Sequence, residues 1–275
     1  MTMNVAVGVH AAGEKRKRTG GKSIERGFVE YLERLAGLSV APSGEGGETA
    51  EREINRAALA RLRRTLGKSP DEAVEAFPYV ASWVERALNS ERMRIKNDDS
   101  REWSEHCFYL VAALFAFYQT GETRASWHHE EALLPDPNRR NFGASFLKLE
   151  EAQTGDAPSA EGAGKERAKN LERRFTALLV SRRADLPQRL RHVMSLLKSE
   201  SVPVDWVGLL ADLQEWRSAE AVTYRIGGKP SVQRRWAKSF WRVEAVETTP
   251  PDEADDGDGP DAPDEIETTP ELEGE

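Results

Sequence analysis

DSREWSEHCFYLVAALFAFYQ, residues 99–119, is the stretch that decides the fold class of this chain. From Cys107 onward the side chains are apolar on almost every face of a helix, and Gly121 follows as a stop signal. A helix that is hydrophobic all round must be enclosed by other elements. The stretch therefore predicts a central helix wrapped by its neighbours.

Helical periodicity continues on both sides of this stretch, and no segment alternates apolar and polar residues as a strand does. Ser69 to Glu72 form a capping box with Pro70 at the first helical position, and Pro78 is expected to interrupt the helix that follows. Gly37, Gly67 and Asp205 are predicted to end or begin helices. The sequence predicts an all-α fold. The expected helices cover residues 23–37, 49–66, 70–88, 99–119, 142–151, 166–181, 187–198, 206–220 and 231–243.

Three segments lack this periodicity and divide the chain. Residues 1–22 contain the cluster KRKR and predict a disordered basic arm. Residues 152–164, AQTGDAPSAEGAG, predict a flexible insert between an N-terminal helical lobe, 23–151, and a C-terminal helical lobe, 165–246. Residues 247–275 cannot bury enough apolar surface to fold and predict a disordered acidic tail.

The acidic tail hides the charge of the rest of the chain. The formal net charge is −8, with 39 basic and 47 acidic residues. The tail carries 13 of the acidic residues and no basic ones, so residues 1–246 hold 39 basic against 34 acidic side chains, a net charge of +5. A clustered positive charge of this kind favours a nucleic-acid partner.

Positive charge is densest near the C-terminal end of the helical region. Residues 221–243 contain six basic residues and no acidic one. At 100° per residue, one arc of the last helix is apolar and the opposite arc is cationic, which is typical of contact with phosphates. The cationic arc consists of Arg234, Arg235, Lys238 and Arg242. Residues 165–198 add ten basic side chains against three acidic ones. In the second predicted helix, Arg52, Arg56 and Arg63 lie beside the apolar face.

The sequence lacks the signatures of an enzyme or a metal site. GGKS at 20–23 does not complete a phosphate-binding loop, because Arg16 stands where that motif needs glycine. His128 and His129 point about 100° apart on a helix, and no further ligands complete a site. Cys107 is expected to be buried and reduced. We therefore predict no catalytic residue, no metal and no cofactor, and a cytoplasmic protein without a secretory signal or membrane span.

Four tryptophans lie in the last two predicted helices. The helical spacing assigns Trp206, Trp216 and Trp236 to the core. Trp241 falls outside the apolar arc, and two alternatives stay open for it. It packs on a neighbouring part of the protein, or it offers a surface on which a base stacks.

The order and spacing of these helices resemble CasB, the small subunit of the type I-E CRISPR surveillance complex Cascade. The most specific part is a helix ending in LR-x-V-x-x-LL, a short polar turn, and DW-x-x-LL-x-DL-x-x-W, within residues 186–216. The resemblance covers roughly residues 50–243. The other matching segments are RAALARLRR (56–64), HCFYLVAALFAFYQ (106–119), NFGASFLKL (141–149), ERRFTALLVS (172–181) and VQRRWAKSFW (232–241).

The resemblance implies an all-helical, non-enzymatic subunit of an antiviral ribonucleoprotein, present as two copies beside the backbone and large subunits. It further implies sequence-independent contacts to the guide crRNA and target DNA, and stabilisation of the displaced, non-target strand of the R-loop. By position, the implied contact residues are Arg64, Arg140, Arg173, Arg174, Arg183 and Arg191. His192 stands where the family carries a second arginine. The basic arm, the insert and the acidic tail depart from the family pattern.

Two other functions fit parts of the sequence. A free-standing helical DNA-binding protein would need a recognition helix with base-reading side chains, whereas SESVPVDW leads into a helix rich in Trp and Leu. A helical hydrolase would need His128 and His129 to join nearby carboxylates in a complete site. The sequence favours the CRISPR subunit over both.

Overall fold

A computed structural model describes residues 23–38, 54–119, 141–154, 161–217 and 230–242. Within these ranges every regular element is helical, which confirms the all-α prediction. A short 3₁₀ turn at Val74–Ala76 precedes the third α-helix. The α-helices are α1 Ile24–Leu35, α2 Arg56–Arg64, α3 Phe77–Leu88, α4 Glu91–Arg94, α5 Asp98–Tyr118, α6 Phe142–Thr154, α7 Glu161–Leu179, α8 Leu186–Ser199, α9 Trp206–Gln214 and α10 Val232–Phe240.

Local signals set several helix ends as predicted. Gly37 and Gly67 follow α1 and α2 with φ of 72° and 87°, a conformation that favours glycine. Asp205 caps α9, because its Oδ1 accepts a hydrogen bond of 2.8 Å from the Gly208 amide. These boundaries depend on neighbouring residues alone, which is why the sequence predicts them.

The segment around Pro78 differs from the prediction. The Ser69 amide does donate to Glu72 Oε2 at 3.0 Å, as in a capping box. Turns and the 3₁₀ segment follow, however, and α3 begins only at Phe77. Pro78 therefore lies in the first turn of α3, where its missing N–H costs no hydrogen bond. The prediction that Pro78 interrupts a helix is wrong.

Helix α5 is the centre of the fold. All side chains from Cys107 to Ala116 are buried, as is that of Tyr118. Helices α2, α3, α8 and α9 pack around it. The prediction of a wrapped central helix is confirmed.

A second packing centre lies where α6 crosses α10. The Phe142 and Trp236 rings are 5.0 Å apart, and Phe175 of α7 lies 4.4 Å from Phe240. Trp206 of α9 meets Phe115 of α5 edge to face at 5.3 Å. Buried side chains from both sides of the predicted insert thus belong to one hydrophobic cluster.

The insert predicted between the two lobes lies only partly within the described residues. Helices α6 and α7 extend into the predicted insert from both sides, and residues 155–160 lie outside the described residues. The basic arm, the acidic tail and the loop containing His128 and His129 also lie outside them. None of the helices in the described ranges has the length and hydrophobicity needed to cross a membrane.

Candidate nucleic-acid interface

A groove of about 470 Å³ runs between α7 and α8. Its floor is apolar and its rim is cationic. Arg174 and Ala177 belong to α7, and the lining side chains of α8 are Arg189, His192, Val193, Ser195 and Leu196. Among the described residues, no carboxylate lines it. A groove with this lining can receive an anionic ligand at its rim.

The two arginines at the rim are exposed. Neither Arg174 nor Arg189 forms an ion pair with an acidic side chain in the part of the chain that the structure describes. No carboxylate of the described residues therefore competes for these guanidinium groups, which have the planar geometry suited to bidentate phosphate contacts.

Arg189 is not among the predicted site residues. It shares one face of α8 with His192 and Leu196, at spacings of three and seven residues. That spacing is visible in the sequence. What selects the face is its position against α7, which the sequence does not supply.

The other predicted cations of α7 and α8 lie elsewhere. Arg191 is exposed, but it follows Arg189 by two residues and therefore points about 200° around the helix. Arg173 is also exposed, and its Nη1 donates to Asn170 Oδ1 at 3.2 Å. Arg174 therefore lines the same groove as Arg189, whereas Arg191 does not line it.

Arg183 is a half-buried structural residue in this fold. Its Nε donates to the Trp216 carbonyl at 3.1 Å, and its Nη1 lies 2.8 Å from Asp99 Oδ2. The guanidinium carbon also lies 5.1 Å from the centre of the Trp103 ring. These contacts join the α7–α8 connection to α5 and to the end of α9.

The predicted cations of α2 differ in exposure. Arg64 is exposed, and it donates hydrogen bonds to Glu75 Oε2 from Nε at 2.9 Å and from Nη2 at 2.6 Å. Arg63 is half-buried. Both belong to a helix that packs on α1 and α5, and neither lines the α7–α8 groove.

The cationic arc of α10 is divided by its contacts. Arg234 and Lys238 are exposed and carry no ion pair within the described residues. Arg242, just after the helix, pairs with Glu151 of α6. Within the described residues, the arc thus leaves Arg234 and Lys238 as exposed cations without an acidic partner, whereas Arg242 is exposed but paired.

Arg235 points inward and not along the predicted outer arc. Its Nη2 lies 2.6 Å from Asp212 Oδ1, and the indole of Trp236 donates to Asp212 Oδ2 at 2.5 Å. Asp212 is only 8% exposed. Burial raises the pKa of its carboxyl, although the hydrogen bonds from Trp236 and Arg235 oppose that rise. Arg235 therefore fastens α10 to α9.

The three tryptophans predicted for the core differ from Trp241 in their exposure. Trp206, Trp216 and Trp236 are fully buried, as predicted. Trp241 is 42% exposed, its ring lies 5.6 Å from that of Phe175, and its Nε1 donates to Glu172 Oε1 at 3.1 Å. Trp241 thus packs on α7 while keeping part of its ring accessible.

Two titratable residues of α5, Cys107 and His106, are packed against other side chains of the fold. Cys107 is fully buried, and burial raises the pKa of its thiol. His106 stacks on Trp103 with ring centres 5.4 Å apart, and burial lowers the pKa of its imidazole. Among the described residues no group of His, Cys, Asp and Glu could hold a metal ion. Arg140 and the predicted histidine pair lie outside those residues.

The chain matches a known family over most of its helical region. A sequence profile of the family described as CRISPR-associated protein Cse2 matches residues 58–241. The chain belongs to the Cse2 family. This confirms the resemblance to CasB, and the matched range begins within the first turn of α2 and ends just after α10.

Individual Cse2 relatives agree with this assignment. The CRISPR-associated protein Cse2 of Thermus thermophilus is 26% identical over 226 residues, which cover 80% of this chain and 91% of the relative. The crystal structure of M. ruber CasB has a TM-score of 0.50 and 27% identity, covering 80% of this chain and 93% of that one.

Two further solved structures are similar at lower identity. A Cse2-family protein from Thermus thermophilus has a TM-score of 0.47 and 24% identity, covering 80% of this chain and 98% of that one. A chain of a CRISPR RNA-guided surveillance complex has a TM-score of 0.46 and 21% identity, covering 80% and 94% respectively.

Proposed function

We propose that this chain is a non-catalytic small subunit of a type I-E CRISPR surveillance ribonucleoprotein, Cascade. In that assembly it contacts the guide crRNA and target DNA and stabilises the displaced strand of the R-loop without reading sequence. Its protein partners are the backbone and large subunits and a second copy of itself. Membership of the Cse2 family supports the assembly, and the surface charge supports the nucleic-acid contact.

The observation that carries the proposal is the α7–α8 groove. Arg174 and Arg189 both line this groove, and its lining contains no carboxylate from the described residues. Ordinary helix surfaces mix charges to form pairs three or four residues apart. A paired set of arginines without acidic neighbours in that lining instead fits the phosphates of a strand, because phosphate contacts supply affinity that does not depend on sequence.

Such contacts are sufficient for the proposed role. Forming an R-loop exchanges a DNA duplex for a guide–target duplex of similar stability, so its free energy is close to balance. A few electrostatic contacts to the displaced strand shift that balance. Additional contacts would come from Arg63, Arg64, Arg140, Arg173, Arg191, Arg234, Lys238 and Arg242. Arg183 and Arg235, although predicted as contacts, act in this proposal by holding α5, α9 and α10 together.

The decisive experiment measures R-loop stability in the reconstituted complex as a function of salt. Replacing Arg174 and Arg189 with alanine should weaken R-loops similarly for unrelated target sequences. If each arginine neutralises one phosphate of a single strand, the slope of log K against log salt should fall in magnitude by about 1.4. Arg26→Ala, which removes one positive charge from α1 where Arg26 pairs with Glu30, is the control for each single replacement, Arg174→Ala and Arg189→Ala.

Three outcomes would contradict the proposal. An unchanged R-loop in the double variant would remove the groove from nucleic-acid binding. A loss confined to one target sequence would reveal base reading. Tight, sequence-selective binding by the isolated chain would favour a free-standing DNA-binding protein instead.

A further inference from the structure

The floor of the α7–α8 groove is a separate feature from its charged rim. Ala177 and Leu196 are half-buried, and Val193 is 3% exposed. Phosphate contacts need only cations on an exposed face, and α10 presents such cations in Arg234 and Lys238. An apolar floor below cations adds a surface that phosphates cannot use.

The size and chemistry of the groove restrict its occupant. Its volume of about 470 Å³ lies within the range of roughly 300–1,000 Å³ found for small-ligand sites. The ligand must be flat or narrow enough to enter between two helices, apolar on its faces, and joined to an anion that reaches Arg174 and Arg189. Ser195 and His192 add hydrogen-bonding groups at the edge.

We propose that the groove receives an unstacked base of single-stranded nucleic acid, with its flanking phosphates held by Arg174 and Arg189. This inference rests on the proposed function and adds the class of ligand to it. The base lies on Ala177, Val193 and Leu196, and the imidazole of His192 covers its outer edge. Every base has apolar faces, so the site binds without regard to sequence.

A base site and a purely electrostatic site respond differently to loss of the base. An abasic strand keeps all its phosphates and loses only the group that enters the groove. Burying roughly 40 Å² of a base face on this aliphatic floor contributes on the order of 1 kcal/mol, which corresponds to about fivefold in affinity. The comparison therefore separates the floor from the rim.

The test uses the full-length protein and a single-stranded oligonucleotide containing 2-aminopurine, together with the same strand made abasic at several positions. We expect the abasic strand to bind at least about fivefold more weakly, and 2-aminopurine fluorescence to change on binding. Ala177→Leu fills the groove and should remove both effects while the arginines still bind the strand. Thr176→Leu adds bulk at an exposed position of α7 outside the groove and should leave both effects intact.

Each other result overturns the base site. Equal affinity of the two strands for the unmodified protein means that only phosphates are bound, and the proposed function survives. Binding of neither strand by the isolated protein also overturns the base site, whereas the proposed function is decided by the R-loop measurement on the reconstituted complex. Binding of polyglutamate that Ala177→Leu abolishes, without binding of either strand, would identify an acidic protein segment as the occupant.

Discussion

Gly143 of α6 lies directly against the backbone of Trp236 in α10. A Cβ atom on Gly143 would stand 2.8 Å from the Trp236 Cα and closer still to its carbonyl group. Asn141 strengthens the same crossing, since its side-chain amide donates to Ser239 Oγ at 2.7 Å and its Oδ1 caps α6. The position of α10 therefore depends on the absence of a side chain at residue 143.

Gly143→Ala should destabilise the protein, because the backbone of α10 cannot move aside as a flexible side chain would. We expect the free energy of unfolding to fall by about 1–3 kcal/mol or more, measured by chemical denaturation. Gly164→Ala in α7 is the matched control, since a Cβ there meets nothing within 4 Å. That change should be neutral or slightly stabilising. Equal stability of the two variants would contradict the close packing.

Arg183 should matter more for folding than for nucleic-acid binding. Arg183→Ala leaves the Trp216 carbonyl without its donor and removes the guanidinium from the Trp103 ring. We expect a loss of about 1–3 kcal/mol in the free energy of unfolding. Arg189→Ala, at an exposed position without an ion pair to any described residue, should change stability by less than about 0.5 kcal/mol. An Arg183 variant with normal stability and weaker R-loops would instead support the contact implied by the family resemblance.

His106 should make the protein less stable in mild acid. Burial lowers the pKa of its imidazole, so the folded state binds fewer protons than the unfolded state. Stability is therefore present above the usual histidine pKa of about 6.5 and is lost as the pH falls toward the lower folded value. Comparing wild type with His106→Gln by denaturation between about pH 7.5 and pH 5.5 should show a steeper fall for wild type. Parallel curves, or an NMR titration of His106 near its ordinary pKa, would contradict this assignment.

The ion pair between Arg64 and Glu75 allows two substitutions with opposite expected effects on nucleic-acid binding. Glu75→Gln weakens the Arg64–Glu75 pair, which is worth no more than about 1 kcal/mol at the surface. If Arg64 contacts a phosphate in the assembly, Glu75→Gln should strengthen R-loop binding at low salt and Arg64→Ala should weaken it. Both differences should shrink as salt is raised. Variants with equal affinity at low ionic strength would exclude Arg64 from the interface.

Only part of the candidate interface could be predicted from sequence. Arg174 is predicted and lines the groove, whereas its neighbour Arg189 is not predicted. Cations close together in sequence look equivalent on a helical wheel. Arg234 and Arg235 differ because an acidic residue of another helix, Asp212, captures only the second of them.

The amino-acid sequence by itself determined the helical character, the central position of α5 and the caps at Gly37, Gly67 and Asp205. These features depend on residues within one or two turns of each other, or on a run so apolar that only burial can accommodate it. Only the tertiary structure decided that Arg183 and Arg235 make inward contacts and that α10 packs directly against Gly143. It also decided that Arg174 and Arg189 line the same groove. Each of these is a contact between separate elements of the fold, and its geometry exists only once the helices have packed.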